Sequence, residues 1–496
     1  MVDLPTLEEK LRSHFEWLAV RENGRTMPLR VDEIELDADA ARPRIGFVWE
    51  TGFVTMRIAE FTEEDDAIAL KLTSAAGGKM ETLRLVPRES AGALAASIEI
   101  ARLQRANQIA EGIRRSFAGL KPKRVSLNSG NSRLAKIELA DGREQLGFIA
   151  DVTSTITHEG LLAAALDWLE QVRHRKRAPI QEVTIVAEKR PARDLQRLLA
   201  LVDAGTRRSV RVAQLIANDD ELSVKMLREL VPSDLWREKP AKLQLPPVIE
   251  VSETARSIVA HAPDKIDVIV SKHGETLRFN GLPFVRVRRL LGKEMAWYGT
   301  GRERKLLTDA TREDFHDLLE DLHRHRDAEQ GEKRHDLFRL RSEAWLESIL
   351  KRNIKQLDAN LILSPIFNQF RASTDKIDLL ALRRDGRLVV IEIKTSPDRD
   401  AIFQAADYWR KIELQRRKGV LQRARLFGDL EIKDEPAMIY IVAPALHFHF
   451  DHERFARMLN RDIELWRWEL HEAWRKEIKV IRRLNFINID PGGSFE

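Results

Sequence analysis

The chain contains no cysteine. That excludes disulfides, thiolate zinc sites, iron–sulfur clusters and cysteine nucleophiles, and it makes a reducing cytoplasm the expected setting. Glycine (24) and proline (18) together supply fewer than one in ten of the 496 residues, which excludes a collagenous, proline-rich or low-complexity protein. No apolar run approaches the roughly 18 uninterrupted residues that a membrane-spanning helix needs. The first ten residues, Met1-Val2-Asp3-Leu4-Pro5-Thr6-Leu7-Glu8-Glu9-Lys10, lack the basic stretch and apolar core of a secretory signal. A soluble, cytoplasmic protein is expected. Charge is what the chain has in plenty: 83 Lys and Arg against 78 Asp and Glu, a net +5. This balance permits a polyanionic partner without demanding one, because a phosphate chain responds to the local arrangement of charge.

At about 150 residues per domain the length suggests roughly three domains, and the pattern along the chain suggests four segments. Residues 1–120 read as a β-rich domain with flanking helices, the helices over 5–21 and 91–118. The strands between them alternate apolar and polar residues, as in Ala67-Ile68-Ala69-Leu70-Lys71-Leu72, with Gly77-Gly78 as a turn. Residues 121–244 form an α/β module, with strands over 134–139, 146–152, 182–187 and 210–212 and helices over 159–175 and 191–202. Prolines at 240, 246 and 247 mark a linker. Residues 245–335 give a second β-rich segment with a helix over 311–328, and the charged stretch from Arg326 to Arg334 reads as a further linker. The last segment, 336–496, gives helices over 339–356, 400–418, 450–459 and 462–484 and strands over 365–371, 377–383, 387–394 and 437–443. Strands alternating with helices indicate a multidomain α/β protein. The two halves share one order of elements, and Asp141-Gly142-Arg143 with Thr153-Ser154 echoes Asp385-Gly386-Arg387 with Thr395-Ser396. An internal duplication is one reading of this echo; the general likeness of α/β units is the other.

The informative stretch is Ile377-Asp378-Leu379-Leu380-Ala381-Leu382-Arg383, then Arg384-Asp385-Gly386, then Arg387-Leu388-Val389-Val390-Ile391-Glu392-Ile393-Lys394. A three-residue hairpin loop needs a left-handed residue at its end, which Gly386 supplies. Such a loop pairs Arg383 with Arg387, and the continuing ladder sets Asp378 opposite Glu392, about 5 Å apart on one face. Lys394, two residues on, shares that face. Two carboxylates held so close repel unless a cation lies between them, and hard oxygen ligands without imidazole or thiolate suit Mg²⁺ or Mn²⁺. A plain hairpin with an exposed salt bridge is the competing reading. The helix that follows carries Gln404 and Tyr408 on one face, four residues apart. The helix before carries Glu343 and Glu347, also four apart.

Asp378, Glu392-Ile393-Lys394 and Gln404-x-x-x-Tyr408 together resemble the PD-(D/E)xK nuclease superfamily, in particular its RecB-like branch with the QxxxY signature. Ile377 stands where that pattern nominally has proline, and the match covers roughly 336–484. The resemblance implies a restriction-endonuclease-like αβββαβ core and Mg²⁺-dependent (or Mn²⁺-dependent) hydrolysis of DNA, as used in restriction, phage defence and repair. It implies that Asp378, Glu392, the Ile393 carbonyl and a helical glutamate hold the metal, with Glu347 preferred over Glu343 for the last. Lys394 would position or help deprotonate the attacking water, and Gln404 and Tyr408 would orient Lys394 or the DNA backbone. Arg410, Lys411, Arg416, Arg417 and Lys418 stand in a run nearly free of acids and are the expected backbone contacts; a solvated helix face is the alternative. DNA is the expected partner, RNA a lesser one, with no membrane and with a homodimer or partner protein allowed. Against this stands a non-catalytic nucleic-acid-binding or assembly protein with an idle nuclease-like fold.

Other signals carry less. His447-Phe448-His449-Phe450-Asp451-His452 reads as a loop and helix start more simply than as a metal site, and His323-Arg324-His325-Arg326 reads as a basic helix end. Gly299-Thr300-Gly301-Arg302 is no phosphate loop, and no GxxxxGK[ST] occurs. Trp409, Trp466, Trp468 and Trp474 suit a core better than base stacking. In the first module Ala150 and Val152 fall at the Glu392 and Lys394 positions, and Ala164 and Trp168 replace Gln404 and Tyr408. That copy is expected to be a scaffold or a nucleic-acid grip rather than a catalyst.

Overall fold

The computed structural model describes residues 4–37, 43–49, 52–64, 67–74, 80–88, 91–129, 131–142, 144–218, 221–240, 250–271, 274–290, 293–301, 304–364 and 378–486. The expected Gly77-Gly78 turn, the 365–371 strand, Ile377 and prolines 246 and 247 lie outside them. Among the described residues the protein is mixed α/β with four sheets. It divides into two compact units, one of Met1–Ala200 with Ala204–Leu230, the other of Leu201–Asp203 with Val231–Glu496.

The first unit opens with a helix, Leu4–Arg12, shorter than the 5–21 expected. Glu16–Val20 is instead a strand, paired on one side with Thr26–Arg30 and on the other with Met80–Pro87. Trp17 and Ala19 are fully buried in that seven-stranded sheet, so sheet packing outweighs a helical pattern that is locally ambiguous. The module that follows comprises α1 (Ala91–Ser116), β1 (Lys121–Leu127), β2 (Leu134–Asp141), β3 (Glu144–Asp151), α2 (His158–Arg173), β4 (Val183–Glu188), α3 (Lys189–Leu199), β5 (Val210–Asn218) and β6 (Glu221–Met226). Its six strands lie in chain order. The β3–β4 and β4–β5 pairs are parallel, as helical crossovers require, and the others are antiparallel.

In the second unit a five-stranded sheet spans residues 266–306. The 326–334 stretch is not the open linker expected from its charge. Arg326 is fully buried and donates to the carbonyls of Phe279, Asn280, Leu337 and Leu340, with its guanidinium over the Trp345 ring. The last module runs α4 (Ser342–Arg352), β7 (Leu361–Leu363), β8 (Leu379–Arg383), β9 (Leu388–Ile393), α5 (Ala401–Arg417), β10 (Met438–Pro444), α6 (His452–Arg457), β11 (Glu464–Leu470) and β12 (Val480–Asn485). Its first six elements follow the order αβββαβ. The 462–484 region, expected to be helical, forms two strands: Leu465, Trp468 and Leu470 bury against neighbours, and β11 lies parallel to β10. The six-strand order and the alternation of parallel and antiparallel pairs match those of the first module strand for strand.

One face of β8 and β9 carries Leu379, Ala381, Val389, Ile391 and Ile393, packed on Trp345, Leu346 and Leu350 of α4. Strand alternation therefore sends Glu392 and Lys394 to the opposite face, toward α5. Trp468 and Trp474 belong to the core as well. Trp409 is buried, and its Nε1 donates to the Ala437 carbonyl at 2.7 Å; Trp466 donates to Glu464 at 2.8 Å.

Candidate functional site

The hairpin that builds the site is closed by Gly386, whose φ of +88° is the left-handed conformation that lets its N–H reach the Arg383 carbonyl at 2.8 Å. The Arg383 amide donates to Arg387 across the loop, and the ladder then runs Leu382↔Leu388, Ala381↔Val389, Leu380↔Val390 and Leu379↔Ile391. One more step sets Asp378 opposite Glu392. At that step the backbone ladder gives way to a side chain: Asp378 Oδ2 accepts the Ile393 N–H at 3.0 Å, which ties this half-buried carboxylate to the strand end.

Glu392 is buried. Its Oε1 lies 3.0 Å from the Lys394 ammonium, and its Oε2, also buried, has no hydrogen-bond partner among the described residues. Burial pushes the Glu392 carboxyl well above its ordinary value, and the facing Asp378 adds to the shift while Lys394 opposes it. Lys394 uses each of its three N–H donors: to Glu392, to Asp398 Oδ2 at 2.7 Å and to Gln404 Oε1 at 2.7 Å. Burial alone would lower the Lys394 ammonium, but Glu392 and Asp398 outweigh it and hold the group above its ordinary value. The loop between β9 and α5 supplies Asp398, whose Oδ1 accepts the Asp400 N–H at 2.8 Å. Asp400 is itself pushed up, by burial and then by Asp398. Four carboxyl groups thus meet two cationic side chains, Lys394 and Arg399, around one strand end. The local excess is negative, and two of its buried oxygens, Glu392 Oε2 and Asp400 Oδ1, have no hydrogen-bond partner among the described residues.

Gln404 reaches the cluster because α5 starts at Ala401, so its first turn passes over the end of β9. Tyr408, one turn further on and half-buried, carries the Lys411 ammonium over its ring at 5.6 Å. On the other side Ser342, at the start of α4, shares a 2.7 Å hydroxyl contact with Thr395, the residue after Lys394. Of the two glutamates on α4, Glu343 is exposed in the first turn. Glu347 is buried, receives Lys351 Nζ and lies 3.8 Å from the Arg278 guanidinium. Gln404 and Asp378 thus gather at the Glu392–Lys394 strand end, whereas Glu347 meets Lys351 and Arg278. Asp398 escaped the sequence reading; its only signal was a position four residues after Lys394, across a loop.

The basic run on α5 is differently disposed from the expected backbone-binding face. Arg410 is buried and bonds Asp407 at 2.8 and 2.9 Å, and Lys411 pairs with the same carboxylate at 2.6 Å. Arg416, also buried, forms a two-bond fork with Glu413 at 2.8 Å and reaches Asp434. Arg417 lies 3.3 Å from Glu413 and stacks on Trp236, with its guanidinium 4.4 Å from the ring. The Arg410, Lys411 and Arg416 charges are spent inside the domain, while Arg417 and Lys418 are exposed.

The first module corrects one expectation. Ala150 and Val152 do not occupy the site face: with Phe148 they pack on Ala106, Ile109 and Ile113 of α1. The opposite face, toward α2, carries Gly147 under the Trp168 ring, then Ile149 and Asp151. The reason lies in the register. The first hairpin pairs Asp141 with Glu144 where the second pairs Arg383 with Arg387, which sets Ile149 and Asp151 at the Glu392 and Lys394 positions. Matching Thr153-Ser154 with Thr395-Ser396 instead slips the strand by one residue and reverses its faces. Asp151 is the acid on the site face, and it closes a turn by accepting from Thr153 N and Oγ1 and from Ile156 N at 2.6–2.7 Å. Comparisons with protein-family models, with curated proteins and with solved structures found no match.

Proposed function

We propose that the last module is a divalent-metal-dependent nuclease that hydrolyses phosphodiester bonds in DNA, of the PD-(D/E)xK kind. The observation that carries this reading is the buried Glu392 Oε2, without a hydrogen-bond partner among the described residues, within an acid-rich cluster that also holds Lys394. A buried carboxylate oxygen without a donor is destabilising unless something fills the place, and an oxygen-only donor set fits Mg²⁺ or Mn²⁺. Asp378, Glu392 and the Ile393 carbonyl are the groups that would hold the ion. When bound, such an ion would lower the pKa of a water and stabilise charge on the phosphoryl oxygens.

The side chains have definable parts in that chemistry. Lys394 has no spare N–H while Glu392, Asp398 and Gln404 all hold it. Were Glu392 Oε1 to leave this contact, one donor would be freed for the attacking water or a phosphoryl oxygen, a contact that would strengthen as charge develops there, while Asp398 and Gln404 would keep the ammonium in place. Asp378 stays anchored by the Ile393 amide throughout. Gln404 acts by positioning Lys394, and Tyr408 stands beside it on the same helix face. The matching topology of the first module, with Asp151 spent on a turn, supports a duplicated scaffold that has no cutting site of its own.

The test is to add purified protein to linear, circular and single-stranded DNA, and to RNA, with Mg²⁺ or Mn²⁺. Cleavage that disappears with EDTA and in Lys394→Ala is expected. Binding without any cleavage would instead support an idle nuclease-like fold, and cleavage of RNA alone would reassign the substrate.

A further inference from the structure

The loop that follows β10 shows two large apolar side chains to solvent at the edge of the candidate site. Leu446 is 79% exposed and Phe450 is 86% exposed, the two most exposed large hydrophobic residues described. Isolated exposed apolar residues are ordinary on a protein surface. These two differ because the loop between them is held firmly and from beneath. His447 Nδ1 donates to the Thr395 carbonyl, directly after Lys394, and its Nε2 lies 3.5 Å from Glu472. The Leu446 amide donates to Glu472 Oε1 at 3.0 Å. Phe448 turns inward, with the Arg467 guanidinium 4.0 Å from its ring centroid and the His452 ring at 4.9 Å. His449 accepts the Asp451 N–H at 3.1 Å, and its ring backs Phe450 at 4.2 Å between centroids.

The loop therefore has an inner side of anchors and an outer side of Leu446 and Phe450. Three residues of chain span at most about 11 Å, so Phe450 cannot stray far from His447 and the Thr395 it binds. Beside a site that handles a phosphodiester, the apolar group that accompanies each phosphate is a nucleobase. Bases in a duplex are already stacked on one another, whereas an unpaired base offers a free face to an aromatic ring. Resting on the nuclease reading above, we infer that Leu446 and Phe450 form a lip that receives an unpaired base next to the bound phosphate, so that the enzyme favours single-stranded or frayed DNA.

The test is a fluorescence titration of the full chain with oligonucleotides that carry 2-aminopurine, single-stranded or in a duplex, in EDTA so that no cleavage occurs. Wild type is expected to quench the single-stranded probe. Phe450→Ala should bind that probe about tenfold more weakly, about 1.4 kcal/mol, with duplex binding unchanged, and Phe450→Trp should restore both affinity and quenching. Leu446→Ala should give a smaller loss in the same direction. Equal losses on both probes, or no loss with Phe450→Ala, would overturn the lip. A concentration-dependent self-association abolished by Phe450→Ala, with oligonucleotide binding intact, would overturn it too and would assign the loop to a protein contact. The titration needs no metal, so stacking without cleavage would sink only the nuclease reading, and cleavage without stacking only the lip.

Discussion

Replacing Glu392 by Gln should stabilise the metal-free protein and abolish its stabilisation by Mg²⁺. In wild type the buried Glu392 Oε2 has no hydrogen-bond partner among the described residues, the Glu392 carboxyl faces Asp378, and Lys394 remains paired with Asp398 whether or not Glu392 is charged. Glutamine keeps an oxygen for Lys394 and places an N–H₂ where the orphan oxygen stood. Relief of an unsatisfied buried acceptor amounts to about 1–3 kcal/mol, and each kcal/mol moves the melting temperature of a domain of 150–250 residues by about 2–4 °C. The pH dependence carries the same sign. Because burial and Asp378 raise the folded carboxyl, the folded state binds more protons than the unfolded one above the ordinary carboxyl range. Stability therefore falls as pH rises through that window, and the Gln variant should lose this slope. Saturating Mg²⁺ reverses the order: at one hundred times Kd it adds about 2.7 kcal/mol to wild type and little to the variant. Differential scanning fluorimetry in EDTA and in Mg²⁺ reads both effects. A variant less stable than wild type in EDTA, or equal Mg²⁺ shifts in the two proteins, would refute the reasoning.

Other expectations follow from neighbouring geometry. Asp398→Asn should lower kcat by about 10²-fold with KM for DNA nearly unchanged, since it loosens Lys394 without touching substrate, and Asp398→Glu should recover part of the loss; the magnitude is that of a displaced catalytic group. His452 is buried, and desolvation, then Arg467 and His449, push its imidazole down to about 3. The unfolded chain thus gains a proton below pH 6.5 that the folded chain refuses, so stability should drop by about 2 kcal/mol between pH 7.5 and 5, and a His452→Gln melt should show a shallower decline. Glu413 is fully buried and accepts from Arg416, Arg417 and the Ala437 amide; Glu413→Ala, measured by urea unfolding, should cost about 3–5 kcal/mol. Gly386→Ala forces a side chain into the left-handed region, and its Cβ would lie 3.1 Å from the Glu431 carbonyl, so a loss of about 1–2 kcal/mol is expected in the same assay.

The hairpin was the most legible part of the chain, because loop length and Gly386 define a register through local chemistry alone. That register is what sets Asp378 opposite Glu392. Features that depend on distant partners were hidden. Glu16–Val20 and Glu464–Leu470 became strands because neighbouring strands receive them, a condition no local window reveals. The basic run on α5 looked open because Asp407 lies three residues before Arg410, ahead of the run, and Asp434 comes from another segment. Asp398 was invisible for a similar reason: only the path of the loop returns it to Lys394. In the first module the shared Thr-Ser pair misled, since matching it shifts the strand by one residue from its hairpin register and so exchanges the faces of the whole strand. The His and Phe alternation at 447–452 gave no hint of which rings turn inward, and that is decided by Arg467, Thr395 and Glu472.

The most direct measurement is the binding of Mn²⁺, followed by electron paramagnetic resonance, to wild type and to Asp378→Asn, Glu392→Gln and Lys394→Met. Wild type should bind Mn²⁺ and release it to competing Mg²⁺, the two carboxylate variants should lose the tight site, and Lys394→Met should retain it. Mn²⁺ binding unchanged by loss of either carboxylate, or absent from wild type, would contradict the assignment of this strand end as a metal centre.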